Sequence, residues 1–428
     1  MKILNANDAN FEGEFDTLLN RGKMDIDSVS GVVSSIINEI KSEGDEAIKR
    51  HILKFDKWEV DGDLAINTED MKKAYDSLDS QLKYALHLAY ERIYDYHQKQ
   101  LPKSWIDFDE SGSALGQKVT AVDRAGLYIP GGKAAYPSSL LMNAIPAIVA
   151  GVSEIVVCTP TPNGEINTLL LSAMHLCDIK EAYKVGGASA IAALAYGSES
   201  IKKVDVITGP GNIFVATAKK LVFGEVNIDM IAGPSEIGVI ADESARVDYL
   251  SIDLLSQAEH DEMASSILIT TSNSLANSVS KQIELDLKTL SRESIARESI
   301  EKRGAIIVVD DMKKAIDLMN EIAPEHLELM VENPFELLPF IKHAGAIFMG
   351  SYTPEAIGDY MAGPNHTLPT GGSAKFYSPL NVENFLKKSS IISMSKAKLN
   401  EIGEACALLA KTEGLDAHRK SVEIRLDK

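Results

Sequence analysis

Cysteine is nearly absent. Its three occurrences, Cys158, Cys177 and Cys406, are widely spaced and form no Cys-x-x-Cys pair, which excludes a disulfide framework and a thiolate zinc site. Any metal bound here must be held by nitrogen and oxygen. Long apolar runs are missing as well: no segment approaches the roughly 18 uninterrupted apolar residues of a membrane span, and the amino terminus, MKILNANDANFEGEF, has no stretch of signal-peptide character. A cytoplasmic protein that does not bind membranes is expected. Positive charge is in deficit, with 43 Lys and Arg against 62 Asp and Glu for a formal charge of −19, so the surface repels nucleic-acid phosphates. Nucleic acid is not an expected partner. There are no Gly/Ser linkers, low-complexity tracts or internal repeats, so the parts of the chain are expected to pack directly on one another.

Hydrophobic residues make up 45% and charged residues 25%, an ordinary globular composition, and 428 residues allow two to four domains. Val29, Val32, Val33, Ile36, Ile37 and Ile40 recur at helical spacing, and helix is predicted from Ser28 to about Lys57 and again from Thr68 to Leu101. His51, His87 and His97 fall in these helices and read as partly exposed helix residues rather than ligands. From about residue 121 short β-branched runs alternate with helical stretches: EIVVCTP, AYKVGG, VDVITGPG and SEIGVIAD, then SSILITT, GAIIVVDD, HLELMV and GAIFMG. The runs are continuously apolar, as in strands covered by helices on both faces, which predicts two parallel-sheet α/β units. After about residue 383 helix is expected again.

Five stretches carry candidate chemistry. In GLYIPGGK, Gly126 and Gly131 have the spacing of a phosphate loop, but Gly132 stands where lysine is needed and Ala134 follows Lys133, so a nucleoside-triphosphate site is disfavoured. The strand-end turns Gly186-Gly187, Gly209-Pro210-Gly211 and Gly233-Pro234 lie where open α/β sheets place ligands, although each alone is equally a tight turn. In LSIDLLSQAEHD, a continuing helix would put Gln257 and His260 on one face and point Glu259 elsewhere. The segment IGDYMAGPNHTLPTGGSA carries Asp359 and His366 in a long, glycine- and proline-punctuated loop, and EGLDAHRKSV adds Glu413 and His418. Two imidazoles, a carboxylate and an amide suit a borderline divalent ion such as zinc, though spacing cannot bring them together. In EIAPEHLELM, Glu325 and His326 adjoin at the mouth of a predicted strand, where Pro324 favours a bend that lets both serve one site at the strand's edge. They are an acid–base pair or a salt-bridged surface pair.

Taken in order, GLYIPGGKAAYPSS, GPGN, AGPSE, LLSQAEH, PEHLEL, GDYMAGPNHTLPT and EGLDAH span nearly the whole chain and resemble the bacterial histidinol dehydrogenase family. The resemblance implies two incomplete Rossmann-like domains, one built from residues 25–128 and 240–382 and the other from 129–239, with an extension over 1–24 and a dimerisation tail over 383–428. It implies oxidation of L-histidinol through L-histidinal to L-histidine with NAD+, one zinc ion per subunit, and a homodimer whose tails complete each other's sites. Carried over by position, Gln257, His260, Asp359 and His418 are zinc ligands, and Ser235, Glu413 and His326 join them on the substrate. Glu325 and His326 form the acid–base pair. Tyr128 and Asn212 contact NAD+, and Ser189, in GGASA, stands where the family has glutamine. Two other readings stay open: a relative oxidising a different primary alcohol, such as a sulfonated diol, and a metallohydrolase in which Glu325 activates zinc-bound water without nicotinamide. Ser235 and Glu413 favour histidinol.

Overall fold

The computed structural model describes residues 1–20, 26–60, 62–131 and 136–427. Gly132, Lys133 and Ala134 of the phosphate-loop comparison lie outside them, as does the expected boundary at residues 24 and 25. The chain forms two compact units, Met1–Gln100 with Asp123–Phe385, and Leu101–Val122 with Leu386–Lys428.

The strands, in chain order, are β1 (Lys2–Asn5), β2 (Trp105–Phe108), β3 (Ala114–Ala121), β4 (Arg124–Tyr128), β5 (Glu154–Cys158), β6 (Glu181–Tyr183), β7 (Val206–Thr208), β8 (Asn227–Ile228), β9 (Glu236–Ala241), β10 (Ser265–Thr270), β11 (Ala305–Val308), β12 (His326–Met330), β13 (Ala346–Met349) and β14 (Leu386–Ser393). In the larger unit they form two parallel sheets, of order β1-β11-β10-β9-β12-β13 and β6-β5-β4-β7-β8. The α/β architecture with two parallel sheets is as the pattern predicts. Every residue of β9, β10, β11 and β12 is buried, because helices cover both faces, and this is why the runs do not alternate. Two apolar cores flank the six-stranded sheet, and the five-stranded sheet shares a core with the helix Ile26–Phe55.

Some local expectations need correction. The helix Ile26–Phe55 is broken at Gly44 (φ 52°, ψ −127°), where a Cβ would strike the Glu199 carboxylate that accepts from Asp45 N at 2.7 Å. The helix expected over 68–101 divides into Thr68–Ser77 and Ser80–Gln98, and Asp79 caps the second segment. Helix does not resume directly after residue 383. In the smaller unit β14 pairs antiparallel with β3, and β3 with β2, before the helices Lys396–Thr412 and Asp416–Glu423. Every residue of β2 is exposed and most of β14 is open to solvent, so neither carries the apolar run that marks the parallel strands.

Candidate active site

The Glu325-His326 pair is buried. The helix Met312–Ile322 ends on Ala323 in the left-handed region (φ 49°), and Pro324 then turns the chain into β12, which lies between β9 and β13 in the sheet interior. Glu325 and His326 therefore do not sit at an edge. They are 6% and 4% exposed. Backbone pairing begins at the bend: Gly345 N donates to Pro324 O and Ala346 N to Glu325 O, both at 2.9 Å. A Cβ on Gly345 would stand 2.5 Å from Glu325 O, so glycine is required there for the two chains to meet.

Both side chains turn to the start of β9. Glu325 Oε2 accepts from Glu236 N at 2.9 Å, and His326 Nδ1 lies 3.1 Å from Glu236 O. Because a carbonyl only accepts, Nδ1 carries the proton and Nε2 keeps its lone pair. Nε2 is buried and has no hydrogen-bond partner among the described residues. Burial lowers His326 to about 4 against the opposing pull of Asp359, so the imidazole is neutral at pH 7. Its approaches of 3.7 to 3.9 Å to Glu325, Glu355 and Asp359 are accordingly not ion pairs. Burial also raises Glu325 well above the usual carboxylate range. His326 opens onto a cavity of about 470 Å³ that is also lined by Asp359, His366 and Tyr96.

A candidate metal centre adjoins the pair. One ligand atom each from His260, Glu355 and Asp359 lies within 4.8 Å of the others. Gln257 stands beside them, one end of its side-chain amide 3.1 Å from Glu355 Oε1, 3.2 Å from Glu355 Oε2 and 3.0 Å from His326 Nδ1. The helix Val247–Ala258 ends before His260, whose N–H bonds to Gln257 O, so a tight turn rather than a continuing helix brings the two together. Asp359 lies in the π-helical segment Gly358–Ala362, and His366 folds back so that its Nδ1 is 3.0 Å from Asp359 O. Glu355 was not singled out from the sequence. Its signal is the spacing from Asp359, one helical turn ahead in the same loop segment.

Carboxyl groups dominate this region. Burial raises Glu355 and Glu328 well above their usual range and Asp253 to about 6, and the charges acting most strongly on Glu355 are other carboxylates. Such a cluster is costly as apolar core and well suited to a divalent cation, so the residues present fit zinc held by nitrogen and oxygen. Ser235 lies just ahead of Glu236 and receives Ser265 N at its carbonyl. Glu413 follows the helix Lys396–Thr412 and His418 lies in Asp416–Glu423; both belong to the smaller unit and are exposed.

Tyr128, Ser189 and Asn212 line a second cavity, of about 510 Å³, with Gly186, Gly187 and Pro160. Tyr128 Oη receives Gly187 N at 3.2 Å, and burial raises the phenol to about 12, so it stays protonated. The Asn212 carbonyl caps the helix Ile213–Val222 through Phe214 N and Val215 N, leaving its amide nitrogen available. Beneath the Gly209 turn, Lys219 and Asp229 form a buried ion pair: Lys219 Nζ donates to Gly209 O at 3.0 Å, and Gly209 N donates to Asp229 at 2.8 Å. Glycine turns and a helix N-terminus beside an apolar wall of Val32, Ile36 and Phe55 suit a dinucleotide.

Comparison with known proteins settles the family. A family model described as histidinol dehydrogenase matches residues 19–426. The chain belongs to the histidinol dehydrogenase family. Histidinol dehydrogenase of Sulfurimonas denitrificans is 67% identical over 430 residues, covering 100% of both chains, and that of Wolinella succinogenes is 64% identical over 428 residues, covering 100% of this chain and 99% of the relative. The crystal structure of histidinol dehydrogenase from Elizabethkingia anophelis superimposes with a TM-score of 0.94 at 35% identity, over 99% of this chain and 98% of that one. Among the described residues no helix is long and apolar enough to cross a membrane.

Proposed function

We propose that this chain oxidises L-histidinol through L-histidinal to L-histidine at one site, using zinc and NAD+. The observation that carries the reading is the buried Glu325-His326 pair, its unpartnered Nε2 facing a cation-attracting carboxyl cluster. Gln257, His260 and Asp359 would hold the ion with His418 of a second copy, and Glu355 fixes the Gln257 amide beside them. Tyr128, Ser189 and Asn212 would hold the dinucleotide. When bound, NAD+ accepts the hydride and zinc anchors the imidazole and amine of the substrate.

His326 Nε2 removes the alcohol proton as hydride leaves the carbinol carbon. Glu325 then takes a proton from water as the water oxygen adds to the aldehyde carbon. The His326 imidazolium returns its proton to the aldehyde oxygen, giving the hydrate and restoring the neutral ring, which removes a hydroxyl proton as the second hydride leaves; the resulting carboxylic acid and Glu325 release their protons to solvent. Burial makes the Glu325 carboxylate a stronger base than a solvated one, which suits this water step. Ser235 and the Glu413 of a second copy would complete the substrate pocket. A homodimer is supported by the open apolar side chains of the smaller unit, Ile392, Leu408, Leu409 and Ile424, each at least 64% exposed.

The test follows NADH absorbance with L-histidinol as substrate, with and without a chelator. About two NADH per histidinol, lost on chelation and restored by zinc, are expected. Hydrolysis of an ester or amide without NADH formation would replace this reading with a metallohydrolase. Mixing His260→Ala and His418→Ala chains checks the shared site: recovered activity is expected, and none means each chain is self-sufficient.

A further inference from the structure

One hydrogen-bonded chain, running from the half-exposed Glu39 to the buried His51 and Ser189, is unused by the chemistry above. His51 Nδ1 lies 2.8 Å from Ser189 Oγ, and His51 Nε2 lies 3.0 Å from Glu39 Oε2. His51 and Ser189 both line the 510 Å³ cavity with Tyr128 and Asn212, and they are 7% and 4% exposed. Neither histidine nor carboxylate is placed by local sequence. Glu39 and His51 are twelve positions apart, which on a straight helix is about 18 Å of rise. The break at Gly44 folds the second segment back and closes that gap to one hydrogen bond.

The protons follow from the partners. Glu39 is held below its usual range chiefly by the His51 hydrogen bond and also by Ser35 Oγ, so it is an ionised acceptor. His51 Nε2 therefore carries a proton, and in the tautomer with that one proton Nδ1 accepts from the Ser189 hydroxyl. The hydroxyl hydrogen is thereby committed inward, leaving the Ser189 oxygen lone pairs for a donor in the cavity. We propose that Glu39 and His51 are positioning residues of the dinucleotide pocket, orienting Ser189 Oγ to accept a hydrogen bond from a hydroxyl of the bound nicotinamide dinucleotide. This rests on the assignment of that cavity to NAD+ above. It explains how a side chain as short as serine serves at this position: its single rotatable hydroxyl, otherwise free to choose among partners, is fixed before the ligand arrives.

The experiment measures NADH affinity by fluorescence titration, with kcat and KM for both substrates, on the full chain. Ser189→Ala and His51→Phe should each weaken NADH binding and raise KM for NAD+ roughly five- to tenfold, the worth of one hydrogen bond. The double variant should lose no more than either single one, with kcat at saturating NAD+ and KM for histidinol unchanged. His51→Asn, whose carbonyl can stand in for Nδ1 as acceptor, should recover most of the affinity and guards against a His51→Phe chain that fails to fold. Losses that add, or a His51→Phe enzyme that folds and binds NADH as well as the parent, overturn the relay. Asn212→Asp, which keeps the helix cap but replaces the amide donor with an anion, separates the two claims. If it weakens NADH binding while the relay variants do not, only the relay fails; if neither does, the cavity assignment fails with it.

Discussion

The 470 Å³ and 510 Å³ cavities of the larger unit are built at opposite ends of parallel strands. His326 opens β12 and Glu236 opens β9, so the Glu325-His326 pair and its carboxyl cluster stand at amino ends. Tyr128 closes β4, and the Gly186 and Gly209 turns follow β6 and β7, so the second cavity stands at carboxyl ends. Helix direction follows from this. The helices Met312–Ile322 and Val247–Ala258 finish at the first site and present the negative ends of their dipoles, whereas Gly187–Tyr196 and Ile213–Val222 begin at the second and present N–H groups. One pole suits a cation, the other the phosphates of a dinucleotide. The same strand–helix grammar thus yields two sites of opposite electrostatic preference.

The sharpest break of this contrast removes the proposed base. His326→Ala should lower kcat by roughly 10² to 10⁴ while leaving NADH affinity as it is, since only the amino-end site is touched. An equal loss of NADH binding would show that the two sites do not act separately. Lys219→Met attacks the other site: it leaves Asp229 buried and uncompensated beneath the Gly209 turn and should cost about 3 to 5 kcal/mol of stability, read as a drop in thermal midpoint with weakened NADH binding. A midpoint unchanged in this variant would mean that water or another group satisfies Asp229. Glu355→Gln should weaken zinc binding about 10- to 100-fold, measured by competition with a chromophoric chelator, with activity returning in excess zinc. Undiminished zinc affinity would remove Glu355 from the centre.

The smallest effect concerns the loop that carries Asp359. His97 is fully buried, its Nδ1 is 2.7 Å from Ile93 O, and Asn365 Nδ2 approaches its Nε2 at 3.4 Å. Burial lowers its folded pKa below the usual 6.5. Between those two values the unfolded chain binds a proton that the folded chain does not, so stability falls as pH drops below about 6.5, by at most about 1.4 kcal/mol per unit. His97→Phe should flatten that slope in urea titrations at successive pH values; identical slopes would remove His97 as its source.

Much of this organisation was legible along the chain. Eight apolar runs correspond to strands of the two sheets, and in β9 to β12 burial on both faces leaves a mark in every residue. The four-residue β1, the exposed β2 and the polar β14 left none, and helix was expected where β14 lies. His51 and His97, read as partly exposed, are buried, because their partners Ser189 and Asn365 come from 138 and 268 positions away. Glu355 went unnoticed for the same reason: an acid in a loop looks solvated until Gln257 is seen to bond it.

The sequence by itself determined what neighbouring residues can settle: the adjacency of Glu325 and His326, the bend at Pro324, the glycine turns at strand ends and the cap at Asn212. Tertiary structure decided which side chains became partners across the chain. The order of strands carried Glu236 to Glu325 and His326, and the break at Gly44 carried His51 to Glu39. Such pairings depend on how whole helices and strands pack, and that packing is fixed by the sum of many apolar contacts rather than by any short stretch of residues.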